Sequence, residues 1–200
     1  MLEIITGTVL AASAGLNAYI PLLGLGLLAR FTSLIDLPDT WAWLTNGWSL
    51  GIVGVLLVIE IVVDKVPALD TINDVLQTVV RPAAGGLSFS AGSASSTVAV
   101  ADPATFVTSA EVWPFVMGVL VALVPHILKS IARPAINFVT AGAGASVMST
   151  LEDVGAVVLT ILAVVVPVIA LVALIGLIIW LSRRLKRMVA AKRLRRTQLA

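Results

Sequence analysis

The sequence predicts an all-α protein, a polytopic transmembrane helical bundle of about six spans. Three observations carry that expectation. Of the 200 residues 59% are hydrophobic and 12% charged, with a mean hydropathy of +1.07. Several stretches free of Asp, Glu, Lys and Arg reach the roughly 20 residues needed to cross a bilayer. A dense basic run follows directly on the last of them. Soluble domains carry about a quarter charged residues, so this chain lacks the polar surface to face water on every side.

The first uncharged stretch runs from Ile4 to Ala29. It reads as a span rather than a secretory signal, because Glu3 stands where a basic n-region would be and the apolar run is too long. Asn17 sits midway, four residues before Pro21. A proline there frees the Asn17 carbonyl, so the segment is either a kink sealed by interhelical hydrogen bonds or part of a polar site. Asp36, Pro38 and Asp39 mark a solvated turn. Trp41, Trp43 and Trp48 gather at the next span entrance, where indole rings favour the headgroup layer. The second span, Gly47 to Val63, contains Glu60, and Asp64 lies one helical turn further along the same face.

Pro67 to Val80 reads as an amphipathic helix near the cytoplasmic interface. Leu69, Ile72, Val75, Leu76 and Val79 fall at helical spacing, with Asp70, Asn73, Asp74 and Gln77 elsewhere on the wheel. Pro82 to Ala101 and Pro134 to Leu151 are uncharged but rich in Gly, Ala, Ser and Thr, which suits either spans or re-entrant segments. Val112 to Leu128 and Val154 to Ser182 complete the set. Six crossings place Lys65, Arg81, Lys129, Arg133 and the basic tail on one side. Asp36, Asp39, Asp102, Glu111, Glu152 and Asp153 fall on the other. The positive-inside rule favours this arrangement, with both termini cytoplasmic; four spans with two re-entrant segments compete with it. Residues 1–182 then form a single transmembrane domain, and residues 183–200 a basic cytoplasmic tail.

A short internal echo suggests duplication. Gly54-Val55-Leu56 and Gly118-Val119-Leu120 each precede a lysine, Lys65 or Lys129, and Arg81-Pro82-Ala83 recurs as Arg133-Pro134-Ala135. Repeats are common in transporters.

Several chemistries are excluded. There is no cysteine and one histidine, which removes thiolate chemistry and argues against a histidine-rich metal site. No phosphate-binding loop, metalloprotease, hydrolase or kinase motif is present, so no catalytic residue, cofactor or metal is expected. Arg183, Arg184, Lys186, Arg187, Lys192, Arg193, Arg195 and Arg196 account for eight of the 13 basic residues. They suit anionic lipid headgroups or a protein partner rather than nucleic acid, since no recognition fold accompanies them.

Ionisable groups at membrane depth are costly and often functional. Asn17, Glu60, Asp64 and His126 are therefore candidates for a polar pathway; their structural counterpart is an interhelical network. Lys65, Arg81, Lys129 and Arg133 are candidates for contacts with an anion or a lipid headgroup; as plain topology determinants they need no ligand. The small-residue segments admit close helix packing or an unwound cavity lining.

The pattern resembles a bacterial membrane family known as a domain of unknown function, family four-one-two-six. The residues that carry the likeness begin with Gly15-Leu16-Asn17-Ala18-Tyr19-Ile20-Pro21 and Leu27-Leu28-Ala29-Arg30-Phe31. Asp64-Lys65-Val66-Pro67 with Asp70, Arg81-Pro82, Ala132-Arg133-Pro134-Ala135 and Glu152-Asp153 continue it. The resemblance implies a one-domain protein of the bacterial inner membrane and carries over no catalytic residue. From the residues, the leading expectation is a small, homo-oligomeric transporter or permease-like bundle in the lipid bilayer. A non-catalytic scaffold that docks partners through its tail is the alternative, and a lipid-modifying enzyme the third.

Overall fold

The computed structural model describes residues 2–97, 112–140 and 143–198. Asp102 and Glu111 lie outside the described residues. Helices dominate: α1 (Leu2–Leu16), α2 (Tyr19–Phe31), α3 (Gly47–Val63), α4 (Pro67–Ala94), α5 (Val112–Thr140), α6 (Ala143–Val165) and α7 (Pro167–Gln198). A 3-10 turn over Asp39–Thr45 precedes α3. A two-residue antiparallel ladder pairs β1 (Ile35–Asp36) with β2 (Ser96–Thr97), Ile35 opposite Thr97. The all-α expectation holds.

Helix α1 is the axis of the bundle, buried continuously from Val9 to Leu16. Its neighbours are placed by small residues and short polar contacts. Gly7 lies against Phe89 of α4, and Gly15 against Ala122 and Pro125 of α5. Thr6 donates to the Ala163 carbonyl (3.2 Å) and Ser13 to the Ala156 carbonyl (2.9 Å), both on α6. These pairings make α4 and α6 antiparallel to α1, and α5 parallel to it. Between α4 and α5, Gly85 faces Gly118 and Ala122, and a Cβ at either glycine would collide with the opposite helix. Close backbone approach is the reason for glycine at both positions.

The stretch from Ile4 to Ala29 is not one crossing. Helix α1 ends at Leu16, and the Asn17 side chain starts α2 by accepting the Tyr19 and Ile20 backbone N–H groups (3.1 and 3.2 Å). Pro21 falls in the first turn of α2, where a missing donor leaves no gap in the ladder. The expected proline kink is therefore a helix end at Leu16, five residues earlier. Thr160 of α6 then touches both Ser13 (2.9 Å) and Gly24. In one straight helix those residues would stand about 16 Å apart, so the chain folds back on itself. With 15 and 13 residues, neither arm reaches the roughly 20 residues of a span. Helices α1 and α2 form a hairpin whose tip is Asn17.

The remaining helices run the length of the bundle, and this corrects the six-span partition. Helix α5 continues through Lys129, Arg133 and Pro134 to Thr140, so Pro134 to Leu151 is the end of one helix and the start of the next. The stretch from Val154 to Ser182 is divided at Val166 between α6 and α7. Pro67 to Val80 is the first half of α4 rather than a separate interfacial helix. By length and composition, Val112–Pro134 and Ser146–Val165 can cross a membrane, with a third candidate where the 3-10 turn meets α3 at 60°. Leu177 of α7 packs beside Ala132, Ile136 and Met148, near the hairpin tip, whereas α1 begins at the other end. The two chain ends thus leave the bundle in opposite directions, not from one face. The echo is no structural repeat: Arg81-Pro82 lies in α4 and Arg133-Pro134 in the antiparallel α5, neither at a turn.

The distribution of polarity is inverted. Glu60 is the one buried residue of α3, while Ile52, Val55, Val58, Ile59 and Val62 of that helix are more than half exposed. The first half of α4 does the same, with Ile72, Val75, Leu76 and Val79 outward and Gln77 and Arg81 buried. Water would penalise this arrangement and hydrocarbon favours it.

Replacing Gly85 by Val should destabilise the protein by about 1–3 kcal/mol through overpacking. At Gly54 an added Cβ would meet nothing within 4 Å, so this position should accept Ala without loss. Thermal unfolding of the two variants in one detergent checks the contrast.

Candidate functional site

At the tip end of the hairpin four helices bring charged side chains into the protein interior. Asp64 is the C-cap of α3, and its Oδ2 takes Lys129 Nζ at 2.9 Å, Arg133 at 3.0 Å and Arg81 at 3.5 Å. Its Oδ1 accepts from Asn73 of α4 at 2.8 Å. Glu152 of α6 pairs with Lys129 and Arg133, both at 2.9 Å. Glu60 pairs with Arg81 at 2.8 Å. All six charged side chains are 6% exposed or less. Arg81, Lys129 and Arg133 balance Glu60, Asp64 and Glu152, which is the condition for holding charge away from water.

The hairpin tip is tied to this network at two points. Lys129 Nζ donates to the Leu16 carbonyl at 3.4 Å, one of the acceptors left free where α1 ends. Asn17 Nδ2 donates to Asp153 of α6 at 3.0 Å, and Asp153 meets Lys65 at 3.6 Å. Lys65 also donates to the Ile61 carbonyl, and Ser146 to the Lys65 carbonyl. Of the four candidate cations, Arg81, Lys129 and Arg133 are inside, whereas the Lys65 side chain is 37% exposed.

A second layer surrounds Arg81. His126 Nε2 and Thr78 Oγ1 are 3.2 Å apart. Thr78 spends its hydrogen on the Asp74 carbonyl, so it accepts from Nε2–H and leaves His126 Nδ1 as a bare acceptor. His126 is thus bonded to a neighbouring helix, which is its structural reading. The Tyr19 side chain meets Gln77 and lies within electrostatic reach of Glu60 and Arg81. Several buried atoms here have no partner among the described residues: Arg81 Nε and Nη1, Glu60 Oε2, Gln77 Oε1, Asp74 Oδ1 and His126 Nδ1. Buried polar groups without partners are rare and mark either water or a functional site.

Asn17, Glu60, Asp64 and His126 therefore converge on one end of the bundle, and three of the four expected cations join them. The carboxylates of Glu152 and Asp153 are a correction: they sit among the cations rather than on the opposite face. Their place beside Arg133 in the family-like motif set is the one signal for this in the sequence. Helical spacing gives Asn73 and Gln77 only as the wet side of an amphipathic helix. Among the described residues, no three His, Asp or Glu side chains group as metal ligands.

Two consequences can be measured by unfolding in detergent. Asp64→Asn leaves three cations facing two carboxylates and should cost about 3–5 kcal/mol, whereas Lys65→Ala, at the wet edge, should cost less than about 1 kcal/mol. Asn17→Ala removes the cap of α2 and the Asp153 bond, for a loss of about 1–2 kcal/mol.

The family described as Domain of unknown function (DUF4126) matches the chain over residues 4–187. No curated protein and no solved structure matches the chain.

Proposed function

We propose that this chain, which belongs to the DUF4126 family, is a small permease-like membrane protein that moves a small charged solute. The observation that carries the reading is the meeting of a folded-back helix pair with a buried, charge-balanced network. Discontinuous helices with their ends among charged groups are a recurring way to build an ion site in a membrane, and intramembrane ionisable residues by default mark function. In this reading the ion pairs are the closed gate of a pathway, and the α1–α2 hairpin is the element that moves against α6.

The membrane setting is supported by the inverted polarity of α3 and α4 and by exposed Trp43, Trp48 and Trp113 near one end of the bundle. The positive-inside rule assigns the tip end, from which the basic extension of α7 departs, to the cytoplasmic side of a cytoplasmic membrane.

The native chain has no cysteine, which makes a cross-link test clean. Ser13 and Thr160 side chains are 2.9 Å apart, so S13C with T160C should form a disulfide that pins the hairpin to α6. In proteoliposomes on a solid-supported membrane, jumps of Na+, K+, chloride, phosphate or protons should give a current from the reduced protein for at least one ion. Oxidation should abolish that current, and dithiothreitol should restore it. Silence for every ion, or a current indifferent to the cross-link, would overturn the reading; the former is what a scaffold predicts.

A further inference from the structure

The three buried carboxylates are not equivalent. Asp64 contacts three cations and Asn73, and Glu152 contacts two cations through Oε2. Glu60 has one cation, on Oε1, and its Oε2 has no partner among the described residues. The orphan atoms of the site surround the same pair. Tyr19, which meets Gln77, feels both Glu60 and Arg81. Asp74 and His126 both interact with Arg81 and Lys129. Donors and acceptors are mixed among those atoms, so water bridges them better than a bare anion would.

We propose that Glu60 is the proton-binding site of this network and that Arg81 is its switching counter-ion. A proton from a hydronium ion in the bridging water adds to the free oxygen of Glu60, and the neutral acid no longer holds the guanidinium. Arg81 Nη2 needs only to close the 3.5 Å gap to Asp64. Asp64 then has three close cations; Lys129 and Arg133 both have Glu152 at 2.9 Å to move towards, and Lys129 also reaches the Leu16 carbonyl at 3.4 Å. A proton bound on α3 is thereby felt at the hairpin tip. The groups that act on Glu60 are Tyr19 on α2, Arg81 on α4 and Lys129 on α5, with Asp64 at the end of its own helix; Asp74 on α4, His126 on α5 and Glu152 on α6 stand one step further out, around Arg81. Net charge rises by one on protonation, so the state is transient unless a solute or a second movement compensates it.

The coupling role rests on the permease reading, but proton binding can be observed without any flux. Infrared difference spectra of the full chain in lipid, recorded on acidification, should show a protonated carboxyl band. The band should move in protein made with carboxyl-13C glutamate and stay in protein made with carboxyl-13C aspartate. Glu60→Gln should remove it and Asp74→Asn should keep it. Where Glu60→Gln fails to fold, Glu60→Asp decides instead, since the band should then follow the aspartate label. A band that survives in Glu60→Gln, or follows aspartate in the unmutated chain, would refute the assignment. A Glu60 band in a protein that passes no current sinks the permease reading and leaves the proton site standing; a current without that band does the reverse.

Discussion

Asp64 and its three cations are the interaction on which the rest of the structure depends. A charge placed inside a membrane bundle costs several kcal/mol unless opposite charge and hydrogen bonds meet it there. Each of the six network side chains is therefore committed to a position by the others. Because they come from α3, α4, α5 and α6, that mutual requirement sets the register of four helices at once. Dispersion between apolar side chains could not do so, since lipid offers nearly the same contact.

The hairpin follows from the same requirement. Ending a helix inside the bundle exposes carbonyls and N–H groups that hydrocarbon cannot satisfy. Lys129 takes a carbonyl at the end of α1, the Asn17 side chain takes two N–H groups at the start of α2, and Asp153 fixes that side chain in turn. The small residues on α1, α4 and α5 let three backbones approach closely enough for these short side chains to reach. Apolar faces of α3 and α4 turn outward because Glu60, Gln77 and Arg81 are needed within.

Much of the candidate site is legible residue by residue. The depth of Glu60, its pairing in register with Asp64, the break at Asn17 and the special status of Arg81 and Arg133 all follow from elementary costs of burying polar groups. The route by which they meet is not legible. A charged residue in a linear string reads as the limit of a span, since an unpaired charge cannot lie in hydrocarbon. Lys129, Arg133, Glu152 and Asp153 break that rule together, each excused by the others, and so α5 and α6 run straight through positions that look like boundaries. Glu152 and Asp153 join the cation cluster only because α6 lies antiparallel to α1, and no local pattern encodes that direction.

Composition and patterning alone determined that this chain is helical and apolar on its outside, and which polar residues must be hidden. Those are properties of the solvent and of local spacing, available to any reader of a linear string. Tertiary structure decided that the first apolar run turns back as a hairpin, that the long helices carry charge at their interior, and that three acids and three bases share one site. The reason is that the burial of a charge is permitted or forbidden by its partner, and partners from four separate helices are not neighbours until the chain has folded.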